Sequence, residues 1–581
     1  MIEKYYEEEL RYLFESGREF AKAHPDRAHY LNIDSVGDRD PYVERLFEGF
    51  AFLVARIREK LDDSFPQITQ GLTNLLWPQF LQQIPSCTIV QFEPRQGALQ
   101  EARTLPQRSE ITSGPVGPES AVCRFTTTRP LVLNPISLSS VTHHTDSTNR
   151  EVLTFTFACD TEVQWDHYDL SKIRVFLHTE LPTALMVHRA LTTQSQKVEI
   201  GFSNGQQFQL KPKAAITPGG LAKEETLLPC AKNSFWGHNL LREYFVYPEK
   251  FLFVDFNGIS SLPPPEETPE SVTIRVTLNE PFPPETSLST SIFKLNCCPA
   301  TNIFKSSIEP ILKTGLQSEY RVTADSSYID SVYVHSMRSV AGLDRVSGHK
   351  TVYEPLYTFG NIGSRSKKTY ATRFVHTPSG SRVMNIILGG PQLENRDVHE
   401  ENIIMEAWCT NGNVPREYIR EGGITSPGKG FPEYLRVTNI TRPTLPFLPP
   451  SDKDLLWTFQ AHLAASHKGI ASGEVFRKYL HLYDWSGQEG RARRIESVKD
   501  VSSEPMDVIY KGSVIRGIRF TVALEEQAFK DVNDVHLFGS VLSCFLTHYV
   551  TLNSFCELRL VLKPSGKTLE WNQLEGRKCL I

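Results

Sequence analysis

The chain has 581 residues, with 62 lysines and arginines against 67 aspartates and glutamates, which gives a formal net charge of −5. This balanced, mildly acidic composition has no electrostatic footprint for nucleic acid or an anionic membrane surface, so other proteins or neutral ligands are the expected partners. At about 150 residues per domain, the length predicts several domains with ample core.

The N-terminal sequence, the apolar runs and the cysteines together predict a cytoplasmic protein. The start MIEKYYEEEL is acidic and aromatic, which predicts no signal peptide. The most apolar window, Val535–Leu552, is interrupted by histidine, serine and threonine, so no membrane insertion is expected. The 10 cysteines form no CxxC pair, and the adjacent Cys297-Cys298 suits neither a disulfide nor a zinc site. We expect buried thiols in a reducing compartment.

The first strong pattern along the chain is an amphipathic helix that starts near Asp40. Asp40 suits the N-cap and Pro41 the first helical position, while Pro66 is expected to end the helix. One side carries apolar residues at steps of three and four, namely Val43, Leu46, Phe47, Phe50, Val54, Ile57 and Leu61. Charged residues hold the other side, namely Arg45, Glu48, Arg56, Arg58 and Glu59. The small residues Gly49, Ala51 and Ala55 would let a second helix approach closely.

Two shorter helical patterns flank this helix and complete a helical module over residues 1–84. The upstream pattern covers about 6–21 and stops near His24-Pro25, and the downstream pattern covers about 68–80. Three such helices could bury one another, or the bundle could be completed by another chain. Periodicity leaves both alternatives open, because it does not identify what covers an apolar face.

From Pro85 onward, strand-like runs alternate with turn residues. A β-rich, sandwich-like domain is predicted over 85–260, with a hairpin turn at Ser203–Gln206. A second β-rich domain follows over 271–445. The proline-rich segments Ser260–Glu270 and Thr441–Asp454 are predicted to be exposed linkers or hinges.

The last part, residues 454–581, alternates helical and strand patterns. Its long amphipathic helix, 534–550, has one shared apolar face made of Val535, Phe538, Leu542, Phe545 and Tyr549. The predicted fold class is therefore a multidomain α+β protein with an N-terminal helical module, two β-rich domains and a C-terminal α+β domain.

Sequence motifs for catalysis or cofactor binding are weak throughout. Gly423–Gly430 approaches a phosphate-binding loop, but it ends in glycine where a hydroxyl is needed and is followed by Phe431-Pro432. His143-His144 lie in a predicted polar loop, and the spacing of His462 and His467 does not fit a zinc helix, so surface or satisfied polar roles are favoured. We predict no catalytic residue, cofactor or metal site, and hence no enzyme.

Five segments, in order from residue 1 to 560, resemble the TssF family of type VI secretion baseplate wedge proteins. They are YYEEELRYLFESGREFAKAHP, DPYVERLFEGFAFLVARIREKLDDSFP, LREYFVYPEKFLFVDFNG, LNCCPATNIFKSSIEPI and DVHLFGSVLSCFLTHYVTLNSFCEL. The family is related to the baseplate wedge proteins of contractile phages. Nothing is carried over to about 350–435, where the resemblance is weakest.

The resemblance implies a structural, non-enzymatic role at the cytoplasmic face of the inner membrane, reached through the baseplate. It implies two copies of this chain with one TssG, and further contacts with TssK, TssE and the VgrG hub. It also implies a core bundle of helices from three chains, with β-rich wings. Leu46, Phe47, Phe50 and Val54 are the expected interface residues; the alternative is that they pack only on Leu10, Phe14 and Leu72 of the same chain.

A different class of function remains as an alternative at this point. A multidomain β-sandwich protein could act on or bind carbohydrate, which predicts aromatic platforms and converging acids in a cleft. A phage-type baseplate would be the same function in another machine.

The two proline-rich linkers are expected to act as hinges, because two copies of one sequence in non-equivalent positions need flexible joints.

Overall fold

The structure is a computed structural model that describes residues 2–23, 41–147, 149–228, 235–283, 286–314, 317, 319–324, 331–345, 347–356, 367–376, 382–389, 400–428, 430–449, 453–510 and 513–577. The chain divides into two units. The first comprises Met1–Leu76 with Asp452–Trp457, and the second comprises Trp77–Ser451 with Thr458–Ile581. The α+β multidomain fold class predicted from the sequence is confirmed.

The N-terminal unit is built on two helices, α1 (Ile2–Ala23) and α2 (Pro41–Leu76). The prediction that Pro66 ends the second helix was wrong, because α2 continues through it for another ten residues. The separate third helix predicted from about 68 is accordingly the last part of α2. A proline removes only one backbone hydrogen bond, and the turns on either side keep theirs. Asp40, the predicted N-cap, lies outside the described residues.

The first part of the second unit, up to residue 278, is mostly strands. They are β1 (Cys87–Pro94), β2 (Arg103–Leu105), β3 (Glu110–Val116), β4 (Ala121–Thr127), β5 (Leu131–Leu133), β6 (Ile136–Thr145), β7 (Glu151–Cys159), β8 (Lys172–Leu177), β9 (Ser195–Phe202), β10 (Gln207–Leu210), β11 (Ile216–Pro218), β12 (Phe253–Asn257) and β13 (Ser271–Leu278). The helices between them are α3 (Leu181–Thr193), α4 (Pro212–Ala215) and α5 (Trp236–Val246). The predicted hairpin at Ser203–Gln206 is confirmed, with Gly205 at a φ of 91° in the turn that joins β9 and β10.

The middle of the unit continues with further strands. They are β14 (Phe293–Leu295), β15 (Cys297–Thr301), β16 (Phe304–Ser307), β17 (Ile311–Lys313), β18 (Glu319–Arg321), β19 (Tyr333–Asp344), β20 (Lys350–Pro355), β21 (Thr369–His376), β22 (Arg382–Gly389), β23 (Glu401–Thr410), β24 (Ile424–Pro427) and β25 (Leu435–Asn439), with helix α6 (Val414–Tyr418) after β23. Strands β16 to β23 form one eight-stranded sheet with its own buried apolar cluster. This sheet is an insertion between β15 and β24.

The boundary predicted between two β-rich domains at 260–271 does not follow the strand pairing. Strand β13 lies in the five-stranded sheet β10-β9-β13-β7-β6, and therefore belongs with the strands that precede it. The six-stranded sheet β24-β3-β4-β15-β1-β25 likewise combines strands from both sides of the predicted boundary. Pairing between distant strands leaves no local trace in the sequence, so composition placed the boundary wrongly.

The predicted linkers are also more firmly held than expected. In the second linker, Phe447 exchanges two backbone hydrogen bonds with Ile84, at 2.8 and 2.9 Å. Thr441 accepts a hydrogen bond on Oγ1 from the amide of Ile89, at 2.9 Å. In the first linker, the carbonyl of Glu270 accepts from the amide of Cys159. The ends of these segments that adjoin the sheets are therefore fixed, and any hinge is shorter than predicted.

The C-terminal part combines helices with a sheet that contains one pair of parallel strands. Its elements are α7 (Lys453–Ala464), α8 (Gly473–His481), α9 (Glu489–Glu496), β26 (Val498–Tyr510), β27 (Ser513–Glu525), α10 (Val532–Leu546), β28 (Phe555–Lys563), β29 (Thr568–Glu570) and β30 (Leu574–Glu575). Helix α10 connects the parallel strands β27 and β28, as a crossover helix does. The predicted long C-terminal helix is thus confirmed, and a short 3₁₀ turn extends it to Tyr549.

The apolar face of α10 lies in a buried core rich in aromatic and histidine side chains. Tyr483 is hydrogen-bonded through its hydroxyl to His238 Nδ1 and to His462 Nε2, both at 2.7 Å. Tyr549 is bonded to His462 Nδ1 at 2.9 Å, and Phe545 stacks on the same imidazole. His462 therefore has the satisfied polar role that the sequence favoured.

Candidate protein–protein interface

The N-terminal unit holds its two helices antiparallel through two contacts. Phe14 of α1 meets Phe47 of α2 edge to face, with ring centroids 5.8 Å apart. Nearer the start of α1, Glu9 forms an ion pair with Arg58, which lies three turns further along α2. The contact nearer the start of α1 thus involves the residue further along α2, so the two helices run in opposite directions.

The side of α2 that carries Phe47 and Arg58 also carries small residues. Ala51 and Ala55 are fully buried, and they lie four residues apart between the two contact positions. Small side chains at such positions let two helix backbones approach closely, as the sequence indicated. Gly49 does not share this role, because it is exposed with open space around it. Arg58 was assigned to the outer charged side, but it faces α1.

A second apolar side of α2 is exposed in this chain. Leu46, Phe50, Leu53 and Ile57 are 69, 57, 58 and 59% exposed. Their steps of four, three and four residues place all of them within roughly 60° of the helix circumference. We call these four residues the apolar stripe. Single exposed apolar residues are ordinary, whereas a contiguous row of large ones marks an interaction surface.

Charged residues border the apolar stripe. Arg45 pairs with Glu48 at 3.2 Å, with exposed side chains, and Arg56 is also exposed. Such an exposed pair adds little to stability. An apolar centre beside a charged rim is the usual anatomy of a protein interface, because the rim stays in water while the centre is covered.

The four predicted interface residues fall on two different sides of α2. Leu46 and Phe50 lie on the apolar stripe, whereas Phe47 packs on Phe14 and Val54 is half-buried. Packing within the chain therefore applies to Phe47, while Leu46 and Phe50 are exposed and stay predicted interface residues. Leu53 was not singled out from the sequence, although its spacing from Leu46 and Phe50 continues the same row.

The residues of two weak motifs for cofactor or metal binding lie in β-strands. Residues 424–427 of the glycine-rich loop form β24, which pairs with β3 at the edge of a sheet. His143 and His144 lie in strand β6, not in a polar loop as predicted, and His143 Nδ1 is 2.9 Å from Glu151 Oε1. Alternating strand positions at a sheet edge tolerate such polar side chains.

Within the described ranges, no group of three or more His, Cys, Asp or Glu residues is placed to hold a metal ion. None of the helices in that part of the chain is long and apolar enough to cross a membrane. The eight described cysteines are all free thiols, and six of them are buried. Burial raises the pKa of the Cys123 and Cys409 thiols to about 12. These two cysteines therefore remain protonated and unreactive at neutral pH.

Comparison with known proteins identifies relatives over the whole length. The family model described as "Type VI secretion system, TssF" matches residues 1–578. The type VI secretion system component TssF1 of Pseudomonas aeruginosa is 25% identical over 617 aligned positions, which cover 99% of this chain and 98% of the relative.

Two solved structures are similar to this one. A chain of the TssK-TssF-TssG baseplate subcomplex, determined by cryo-electron microscopy, is 30% identical with a TM-score of 0.80, covering 92% of this chain and 99% of that chain. A chain of a type VI secretion baseplate complex is 27% identical with a TM-score of 0.66, and each chain is covered completely. At 30 and 27% identity, the similarity to these two chains extends to function as well as to fold.

Proposed function

Because this chain belongs to the TssF family and is a structural component of the type VI secretion baseplate, we propose that its apolar stripe binds TssG within a baseplate wedge. The family assignment replaces the carbohydrate-directed alternative. The stripe is the observation that carries the proposal, since four large apolar side chains at helical spacing lie exposed on α2. A similar chain is part of a complex with TssK and TssG.

The shape of the stripe favours a helix as the partner element. A straight row at steps of four and three residues presents the ridge that a second helix accepts between its own side chains. Leu46 and Ile57 are separated by about 16 Å along the axis, or three turns, which is a usual length for a helix–helix contact. This exposed side of α2, which differs from the side that packs on α1, is thus suited to a bundle that includes helices from another chain.

We further propose that two copies of this chain join one TssG, and that the wedge carries TssK and meets TssE and the VgrG hub. This assembly would place the chain at the cytoplasmic face of the inner membrane without inserting it. The role is non-enzymatic. The predicted hinges would serve this arrangement only between the hydrogen-bonded ends of the two linkers, because Glu270, Thr441 and Phe447 are held by backbone contacts.

Native mass spectrometry of the chain co-expressed with TssG from the same locus tests this function. The expected result is a stable complex with two copies of this chain per TssG. A complex of another ratio would contradict the stoichiometry alone. A clean monomer in the presence of soluble TssG would contradict the wedge assignment.

A further inference from the structure

A cleft of 560 Å³ opens in the second unit, remote in sequence from the apolar stripe. Its walls come from the end of β8, the turn after α5, helix α6, the start of α9 and the segment 441–447. Its floor includes Tyr247 and Leu252, which are buried. The volume lies within the range of pockets that hold a ligand or a few side chains of a partner.

Three arginines line this cleft, and we call it the arginine cleft. Within the described residues, no carboxylate lies within ion-pairing distance of Arg416, Arg442 or Arg491. Arg416 donates to the carbonyl of Pro443 at 3.2 Å, and Arg442 donates to the carbonyl of Arg416 at 3.1 Å. Both acceptors are neutral, so Arg416 and Arg442 are not paired with a carboxylate, while Arg491 interacts with Glu249 and Asp484 only through longer-range electrostatics.

Arg491 has the least satisfied side chain of the three. Its Nη1 atom is buried without a hydrogen-bond partner. An unpaired donor of a charged group, taken out of water, destabilises the chain unless an acceptor arrives. The guanidinium offers five donors in a planar fork that fits a carboxylate, so an incoming carboxylate is the natural acceptor.

Two acids also line the arginine cleft, and they narrow the choice of ligand. Glu421 is exposed at the rim, whereas Glu249 is mostly buried. Glu249 interacts electrostatically with Arg491 and offsets part of its positive charge. Two acids disfavour a multiply charged ion such as free phosphate, but they tolerate single carboxylates spaced along a chain.

Apolar surface adjoins these charges. Leu445 lines the cleft and is 50% exposed, and Leu448, three residues further on, is 53% exposed. A small anion would leave both leucines in water. A peptide with an acidic residue beside an apolar one would cover the leucines and also reach the arginines.

We propose that the arginine cleft binds an acidic segment of another baseplate subunit, through a carboxylate on Arg491 and Arg442 and an apolar side chain on Leu445. This inference rests on the proposed function, because it takes the partner from the same assembly. The arginine cleft and the apolar stripe are different surfaces, so an experiment can reject the binding proposed for one without rejecting that proposed for the other.

The test places a photo-crosslinking amino acid at position 445 of the full chain, co-expressed with TssG and TssK. After irradiation, mass spectrometry identifies the crosslinked peptide. We expect a peptide of another subunit with Asp or Glu within a few residues of the crosslink. The double variant Arg442→Glu/Arg491→Glu should lower the crosslink yield at least tenfold. The matched control Arg103→Glu/Arg321→Glu, at exposed arginines outside the cleft, should leave it within twofold.

Three results would overturn the proposal while the wedge itself still forms: no crosslink to another subunit, a crosslinked peptide without an acid, or a yield insensitive to the double variant. If no wedge forms, the proposed function fails first. The cleft is then judged by anisotropy of a labelled (Glu-Leu)4 peptide against (Lys-Leu)4, and equal binding of the two would reject it.

A stability measurement separates binding from a structural role. Replacing Arg491 by Met removes the buried unpaired donor and keeps much of the apolar stem. We expect an unchanged or higher Tm of the isolated chain together with loss of the crosslink. A lower Tm would indicate that Arg491 supports the fold and would contradict the assignment.

Discussion

Helices α2 and α10 have similar apolar periodicity but opposite exposure. On α10, Val535, Phe538 and Phe545 are all fully buried. On α2, the members of the apolar stripe are more than half exposed. Helix α10 lies between two parallel strands in sequence and packs on the sheet that they form. Helix α2 packs on α1 along one side, and its apolar stripe is exposed. Periodicity thus predicts that a helix has an apolar face. Whether that face is buried within the same chain depends on the elements that pack around the helix.

The largest expected effect is a truncation on the buried side of this comparison. Replacing Phe538 by Ala removes a ring that packs against Tyr244 and Phe529, with centroids 5.6 and 5.7 Å away. We expect a loss of about 3–5 kcal/mol in the free energy of unfolding, because the surrounding core cannot close the cavity. Urea denaturation followed by tryptophan fluorescence measures it, and a loss below 1 kcal/mol would show that α10 is not in a packed core.

Acidification should weaken the same core. Burial lowers the pKa of His462 to about 3, and His238 is shifted in the same direction for the same reason. The unfolded chain binds these protons near pH 6.5 and the folded chain does not, so stability is complete above that pH and falls below it. We expect a loss of about 1.4 kcal/mol per pH unit for each buried histidine between pH 6.5 and the folded pKa.

Urea midpoints at several pH values check this dependence. Replacing His462 by Phe should reduce the slope of stability with pH below 6.5, whatever it does to stability at pH 7. An unchanged slope in that variant would show that His462 is not a proton-linked group of the core.

The packed side of α2 should respond to added volume. Ala55 is fully buried, so replacing it by Leu forces α1 and α2 apart and should cost about 1–3 kcal/mol. Faster amide hydrogen exchange in α1 and in the middle of α2, with the second unit unchanged, is the expected readout. The control is Gly49→Ala, which adds a methyl group at an exposed position of the same helix and should not increase exchange.

Local patterns predicted the elements that depend on neighbours in sequence. The hairpin at Ser203–Gln206 and the apolar face of α10 were both predicted from the sequence. Strand β26 was not, since Pro505 and its acidic residues argue against a strand. It lies at the edge of its sheet, where a proline costs no ladder hydrogen bond.

The candidate interface was only half predictable. The sequence selected the helix that carries the apolar stripe, but it treated Leu46, Phe47, Phe50 and Val54 as one side. The structure assigns Phe47 to α1 and leaves Leu46 and Phe50 exposed. Because α2 is apolar over more than one side, its residue pattern alone could not tell which side α1 takes.

The smallest expected effect is a truncation on the exposed side. Replacing Phe50 by Ala should change the free energy of unfolding of the isolated chain by no more than about 0.5 kcal/mol, since the ring is 57% exposed. Urea denaturation under the conditions used for Phe538→Ala gives the direct contrast. Comparable losses for the two variants would contradict the distinction between α2 and α10.

The most direct test of the central claim is native mass spectrometry of Phe50→Asp co-expressed with TssG. We expect a soluble, folded chain that no longer binds TssG, because the charge disrupts the apolar stripe and leaves the packing on α1 intact. The control Tyr333→Asp places the same charge at an exposed aromatic residue of the inserted sheet and should keep TssG bound. Retained TssG binding by Phe50→Asp, or insolubility of that variant, would contradict the account.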